Sequence, residues 1–271
     1  MTFARQLIVS VLMAVLLPAA LAQSSRTTAP FDSYVSDSEA RILRQRGSAD
    51  TFTTVDSLGP TQRSALLSRL HHGEIVIGEH PNIPEIPDGL VHDWIGTVFI
   101  PNVTVAQVLD LVRDYDQATH YYSPDIVRSR TVSRNGDDFH VFMRLRKQKI
   151  VTVILDTEYD VHDGALDVAH QYSFSRSTRV SEIADAGTPS EHALPTGHDH
   201  GFMWRLNSYW AFEQVSNGVI VECEAISLTR DIPTGLGWLI GPFVQSIPRE
   251  SLQFTLNATR AAAFANPRTE R

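Results

Sequence analysis

Hydrophobic and polar positions along this chain follow two rhythms, and the change from one to the other falls near Ile126. Before that point the period is mostly helical. Pro60 to about His71 places Leu66, Leu67 and Leu70 on one stripe behind a proline suited to a first turn, and Gly73 ends it. Glu74 to Ile77 reads as a short strand, and Leu90 to Ile100, rich in Val, Ile, Trp and Phe, as a longer one stopped by Pro101. Thr104 is placed to cap a helix in which Val105, Val108, Leu109 and Val112 recur at helical spacing, and Asp116 to Tyr122 predicts a second, shorter helix.

Beyond Ile126 the period is that of strands. Ile126–Ser133 and Phe139–Arg146 flank the turn Asn135-Gly136-Asp137. Ile150–Val161 is expected to return through Asp163-Gly164 into Leu166–Arg176, and Phe202–Phe212 to pair with Val219–Leu228 across Asn217-Gly218. Gly235 to Gly241, apolar residues between glycines, suits a helical turn or a loop that gates a cavity mouth. Pro248 then opens a helix to about Phe264, with Leu252, Leu256 and Thr259 on one face. The order predicts an α+β fold: a curved antiparallel sheet of about seven strands around a long C-terminal helix, with two short helices after the first strand.

The N-terminal residues have a different character. Arg5, an apolar run of about eleven residues from Leu7 to Leu17, Pro18 and then Ala20-Leu21-Ala22 make a secretory signal, with cleavage expected before Gln23. Residues 23–74 form an extension: a polar leader to about Pro30, a short polar helix from Asp37 to Arg46, and the Pro60 helix. Pro81, Pro84 and Pro87 mark a linker inside the start of a ligand-binding domain at 75–264, and 265–271 reads as a disordered tail.

Composition narrows the function. Loss of Arg5 with the signal takes the formal charge from −8 to −9, and this acidic balance argues against nucleic acid and against docking on anionic headgroups. No later segment is long and apolar enough for stable membrane insertion. Cys223 is the sole cysteine, so no disulfide closes within one chain; between Glu222 and Glu224 in a strand-like run it reads as a small core residue.

Several segments carry a resemblance. Trp94-Ile95-Gly96-Thr97-Val98-Phe99 leads into Thr104-Val105-Ala106-Gln107-Val108, followed by Leu111-Val112-Arg113-Asp114-Tyr115 and Ser123-Pro124-Asp125-Ile126-Val127. Ser227-Leu228-Thr229-Arg230-Asp231-Ile232-Pro233 and the closing helix complete the series. Over roughly Ile75 to Ala263 the chain resembles the START-like superfamily, also called the polyketide cyclase, Bet v 1 or helix-grip group, and most resembles exported bacterial members of unknown function. The resemblance implies a helix-grip fold with an internal cavity for an apolar molecule. It implies no single activity, since that group includes lipid and sterol carriers, cyclases and quinone-binding proteins.

Candidate residues follow from strand alternation. In the last hairpin one face holds Trp204, Leu206, Ser208, Trp210 and Phe212 with Val221, Cys223, Ala225 and Ser227, and is suited to pack on the closing helix. The other holds Arg205, Asn207, Tyr209 and Ala211 with Glu224, Ile226 and Leu228, which fits either a solvated outer surface or an amphipathic cavity wall. In the middle strands Arg144 suits a ligand oxygen anchor, while Leu155, Thr157 and Tyr159 are expected to share a face with Val168, His170 and Tyr172. The ligand-binding candidates are therefore Arg144, Tyr159, His170, Arg205, Tyr209 and Glu224, set against the simpler reading of each as a structural or solvated side chain.

Glu191, His192, His198, Asp199 and His200 have metal-ligand types, but lie in a Gly/Pro-rich loop without a rigid surround, so no metal is expected. No Gly-x-Ser-x-Gly, His-Glu-x-x-His or phosphate-binding loop occurs, so no catalytic residue and no cofactor is assigned. The expectation is exported, non-catalytic binding or transport of a hydrophobic or amphipathic small molecule. Two alternatives stand beside it: a cyclase- or hydrolase-type enzyme with His170 or Glu224 as general base, and a protein-interaction module whose cavity is filled by its own aromatics.

Overall fold

A computed structural model describes residues 24–149, 151–232 and 237–265. The signal segment, residues 235–236 of the glycine-flanked loop and the tail beyond 265 lie outside the described residues. Helix α1 spans Ser25–Arg46, α2 Pro60–His71, α3 Val105–Val112, α4 Ala118–Tyr121 and α5 Gly237–Ala265. The strands are β1 Val76–Glu79, β2 Gly89–Pro101, β3 Ile126–Asn135, β4 Asp138–Gln148, β5 Thr152–Asp167, β6 His170–Ala184, β7 His192–Ala193, β8 Arg205–Val215 and β9 Gly218–Arg230.

Seven long strands and the short β1 and β7 form an antiparallel sheet in the order β1-β2-β9-β8-β6-β5-β4-β3, with β7 beside β6. The first long strand thus pairs with the last, which wraps the sheet so that its inner face receives α5. Gly96 in β2 is the point of closest approach: a Cβ there would lie 2.5 Å from Leu256 and 3.1 Å from Leu252. Thr104 caps α3 as expected, in a reciprocal capping box with Gln107. A curved antiparallel sheet around a long C-terminal helix, with two short helices after the first long strand, is the helix-grip architecture.

Alternation then sorts the two faces of the sheet. Val98, Trp210, Phe212, Val221 and Cys223 pack on Leu252 and Leu256 of α5, the face expected to meet the closing helix. The register of that hairpin differs from expectation, since Val215 pairs with Gly218 and the turn is Ser216-Asn217. Phe212 consequently faces Val221 rather than Cys223. The shift is two residues, which restores the same face, whereas a shift of one would have exchanged the two.

A second turn also moved. β5 runs straight through Asp163-Gly164 and reverses at Val168-Ala169, where Asp167 pairs with His170. Gly164 is needed for contact rather than for turning: a Cβ there would lie 2.3 Å from the Tyr172 ring across the ladder. Tyr159 consequently pairs with Ser177, and His170 and Tyr172 fall on the opposite face from it.

The extension supplies the largest difference from expectation. The leader and short helix are one continuous α1, which passes through Pro30 at the loss of one backbone hydrogen bond. Phe31, Val35 and Ile42 bury against Val91, Phe174, Tyr209, Ile226 and Leu228 on the outer face of the sheet. Val55, ahead of α2, and Leu70 within it add a patch over Phe99 and Ile220. Burial of this size, roughly 1.5–3 kcal/mol for each large apolar side chain, readily outweighs one missing bond.

Candidate functional site

The inner face has room built into its sequence. One register row across it reads Trp94, Ala225, Ser208, Ser175, Val161 and Phe139, so three small side chains occupy the middle of the sheet. Two apolar clusters flank this row without merging. One surrounds α5, and the other consists of Tyr115, Phe139, Val141, Tyr159 and Val161, with Met143 and Leu206 packed against it. Between them Trp94, Met143, Leu145, Leu206, Ser208 and Ala225 remain partly exposed, although all point into the wrapped face.

Polar groups are embedded among these apolar walls. Tyr122 and Thr259 share a buried hydroxyl–hydroxyl hydrogen bond of 3.0 Å, and burial pushes the Tyr122 phenol up to about 12. His92 meets the Thr229 hydroxyl at 3.1 Å, and burial pushes the imidazole down to about 4, so it is neutral near pH 7. Trp94 Nε1, Ser129 Oγ and both carboxylate oxygens of Asp163 are buried without a completed hydrogen bond. The Ser173 hydroxyl is near enough to Asp163 to favour its ionised form, yet burial dominates and raises the carboxyl. Buried groups of this kind ordinarily have a partner, so they mark places that water or a ligand would satisfy.

Of the six candidates, Tyr159 alone is on the inner face, buried beside Val141 and Val161, with burial raising its phenol to about 12. Arg144, His170, Arg205, Tyr209 and Glu224 point to the outer face. Arg144 is gripped bidentately by Asp156 at 2.6 and 2.8 Å and by Glu191 at 2.7 Å. His170 meets Asp167 at 2.8 Å, its ring edge-on to Phe52, and Arg205 donates to the Trp204 carbonyl at 3.0 Å.

Tyr209 and Glu224 belong to a polar layer sealed beneath α1. Tyr209 donates to Glu39 at 2.9 Å, Arg41 pairs with Glu224, and Tyr34 donates to Asp93 at 2.7 Å. Burial, and then mutual repulsion, pushes Glu224 up to about 7; burial pushes Asp93 up to about 6. A second ion pair joins Arg46 to Glu222 at 3.0 Å, with both side chains almost wholly buried. Alternation grouped Arg205, Tyr209 and Glu224 on one face correctly, but the polar α1 that covers that face gave no comparable signal.

In the loop before β8, His200 meets Glu182 at 2.6 Å, His192 the Ser190 carbonyl at 2.8 Å, and Asp199 accepts from Trp204 Nε1 at 2.8 Å. Among the described residues no group of three or more His, Cys, Asp or Glu is placed to hold a metal ion. None of the inner-face groups His92, Tyr122, Asp163 and Thr259 was among the ligand-binding candidates read from sequence. The available signal was the run Ser173-Phe174-Ser175-Arg176-Ser177, which alternates small with large and marks the roomy face.

No protein-family model matches the sequence, and a search of the curated proteins finds no match. Solved structures do resemble it. A STAR-related lipid transfer protein from Xanthomonas axonopodis is 17% identical, with 69% of this chain and 98% of that one covered, at a TM-score of 0.43. The Zhui aromatase/cyclase from Streptomyces sp. R1128 is 11% identical, covering 72% and 98%, at 0.43. A START superfamily protein from Mycobacterium smegmatis is 10% identical, covering 65% and 97%, also at 0.43. The Mycobacterium smegmatis protein carries in its printed name the superfamily that the sequence resembles. The fold assignment itself rests on the sheet order and the gripped helix.

Proposed function

We propose that the protein binds a hydrophobic or amphipathic small molecule between the inner face of the sheet and α5, without chemical turnover. One observation carries the reading: the two faces of the sheet are finished differently. On the outer face Asn207, Tyr209, Glu224 and Ile226 are sealed. On the inner face of the same strands Leu206, Ser208 and Ala225 are only half-buried, which we read as a hollow between the two apolar clusters. An apolar surface held open by small residues, with a few polar groups at its margins, suits an oriented apolar ligand. The printed name of one structural neighbour, a lipid transfer protein, agrees with such a role, while that of another, an aromatase/cyclase, agrees with the enzymatic alternative. His170 and Glu224, the residues considered as general bases, face away from this hollow. The signal at residues 1–22 makes export the proposed setting.

Organic extraction of the purified mature protein, followed by mass spectrometry against an unrelated exported protein, tests the reading. A stoichiometric apolar compound is expected, on a chain that begins at Gln23. Ser208→Trp should fill the hollow. Excluding ~60 Å² of ligand surface at ~25 cal/mol per Å² amounts to ~1.5 kcal/mol, about tenfold in the affinity of an apolar fluorescent probe. No extractable compound together with no saturable probe binding, or equal binding by wild type and Ser208→Trp, overturns the proposal.

A further inference from the structure

At the end of β4, where α5 crosses the strand edge, lies an open cleft of about 400 Å³ lined by Pro124, Asp125, residues 146–149, Glu250 and Phe254. Its walls are of two kinds. Pro124 and Phe254 are apolar, and Phe254 stands one helical turn after Glu250 on α5. Arg146, Lys147 and Lys149 bring three cations against the two carboxylates Asp125 and Glu250, a local positive excess on a chain of formal charge −8.

Alternation links this cleft to the hollow. Met143, Leu145 and Lys147 share the inner face, paired in turn with Thr157, Leu155 and Val153. A molecule lying along β4 would therefore pass from apolar side chains to an ammonium at the rim. Lys147 is held by Asp125 at 2.7 Å, Lys149 by Glu250, and Arg146 by the Gln148 side-chain amide oxygen at 2.7 Å. Each ammonium has three donors, so a ligand oxygen can join or replace the internal carboxylate.

We propose that the ligand of the inner face is an anionic amphiphile: its carboxylate or phosphate head docks between Lys147 and Lys149, and its tail runs inward past Phe254. This rests on the inner-face reading and adds the class of head group. A neutral head would leave the positive excess unused, and an alkylammonium head would meet it as a like charge.

The test is calorimetric titration of the mature chain with laurate, dodecyl phosphate, dodecanol and dodecylammonium, all below their aggregation limits, with acetate and inorganic phosphate as tailless anions. Two partly screened ion pairs should favour laurate and dodecyl phosphate over dodecanol by roughly tenfold, and added salt should narrow the gap. Lys147→Gln with Lys149→Gln should abolish that preference and leave the affinity for dodecanol unchanged. Glu250→Gln, which removes the internal competitor for Lys149, should tighten laurate binding roughly threefold, a gain that a folding defect does not produce.

Equal affinity for laurate and dodecanol, or preference for dodecylammonium, overturns the anionic-head proposal while the inner-face reading stands. Acetate or phosphate binding as tightly as laurate also overturns it, because the cleft would then be a tail-independent anion site. Failure of all four tailed probes to bind defeats the inner-face reading itself.

Discussion

Arg46 closes α1 with its guanidinium against Glu222 at 3.0 Å and on the Phe52 carbonyl, while Glu222 also accepts from the Thr54 amide at 2.8 Å. Both ionic side chains are 2% exposed, so each is tolerable only because the other is present. Arg46→Ala leaves a buried carboxylate without its counter-ion and should cost about 3–5 kcal/mol of folding stability, read from urea midpoints. A loss near that expected for surface pairs, below ~1 kcal/mol, would show that Glu222 recovers water or another donor. In the sequence Arg46 only ends a short polar helix, and Glu222 only neighbours Cys223 in a strand-like run. Pairing across 176 positions is a tertiary fact that local pattern does not carry.

Among the elements, α1 shows best how a signal can be present and still be overridden. Its buried positions Thr27, Phe31, Val35, Ser38, Ile42 and Arg46 recur at intervals of four and three, a complete helical stripe. Three of the six are polar or charged, and Pro30 interrupts the run, so the apolar period is diluted below recognition. α5 was legible from Leu252, Leu256 and Thr259, although its start lies well before Pro248. The strand pattern likewise located the hairpins but not the β5–β6 reversal, because Asp-Gly is a turn signal wherever it occurs. Gly164 instead makes space for Tyr172. The same logic at Gly96 yields a prediction. Gly96→Val pushes Leu252 and Leu256 off β2 and should cost about 1–3 kcal/mol, with α5 amides losing hydrogen-exchange protection before those of β8 and β9. Unchanged protection of α5 would show that the helix is held chiefly by α3 and α4.

For the molecule as a whole, the seal between the extension and the sheet is acidic. Besides Asp93 and Glu224, Glu213 is pushed up to about 7, first by burial and then by Asp56, which Thr53 and Arg63 hold nearby. These acids bind protons more tightly folded than unfolded, so their contribution is full at low pH and is lost as pH rises through their folded values. His92, down to about 4, and His80, also lowered by burial, act in the opposite sense below about pH 6.5. Above that value the histidines no longer oppose the acids. Melting temperature should therefore fall from about pH 6.5 to 8 as Glu213 and Glu224 ionise, and Glu213→Gln should reduce the fall. A melting temperature that is flat or rising across that interval would mean the seal admits water.

Sequence by itself determined the order of elements, the α+β class and the division of the final hairpin into two faces, because these follow from local periods of two and about 3.6 residues. Tertiary structure decided which face was which. Alternation is unchanged when a sheet is turned over, and here both faces are covered, one by α5 and the other by α1. Orientation was settled by volume and charge acting between distant segments: Gly96 and a row of small residues admit a helix on one side. Arg41 and Arg46 neutralise Glu224 and Glu222 on the other. Tyr209 and Glu224, read from sequence as ligand anchors, became part of the fastening of the extension.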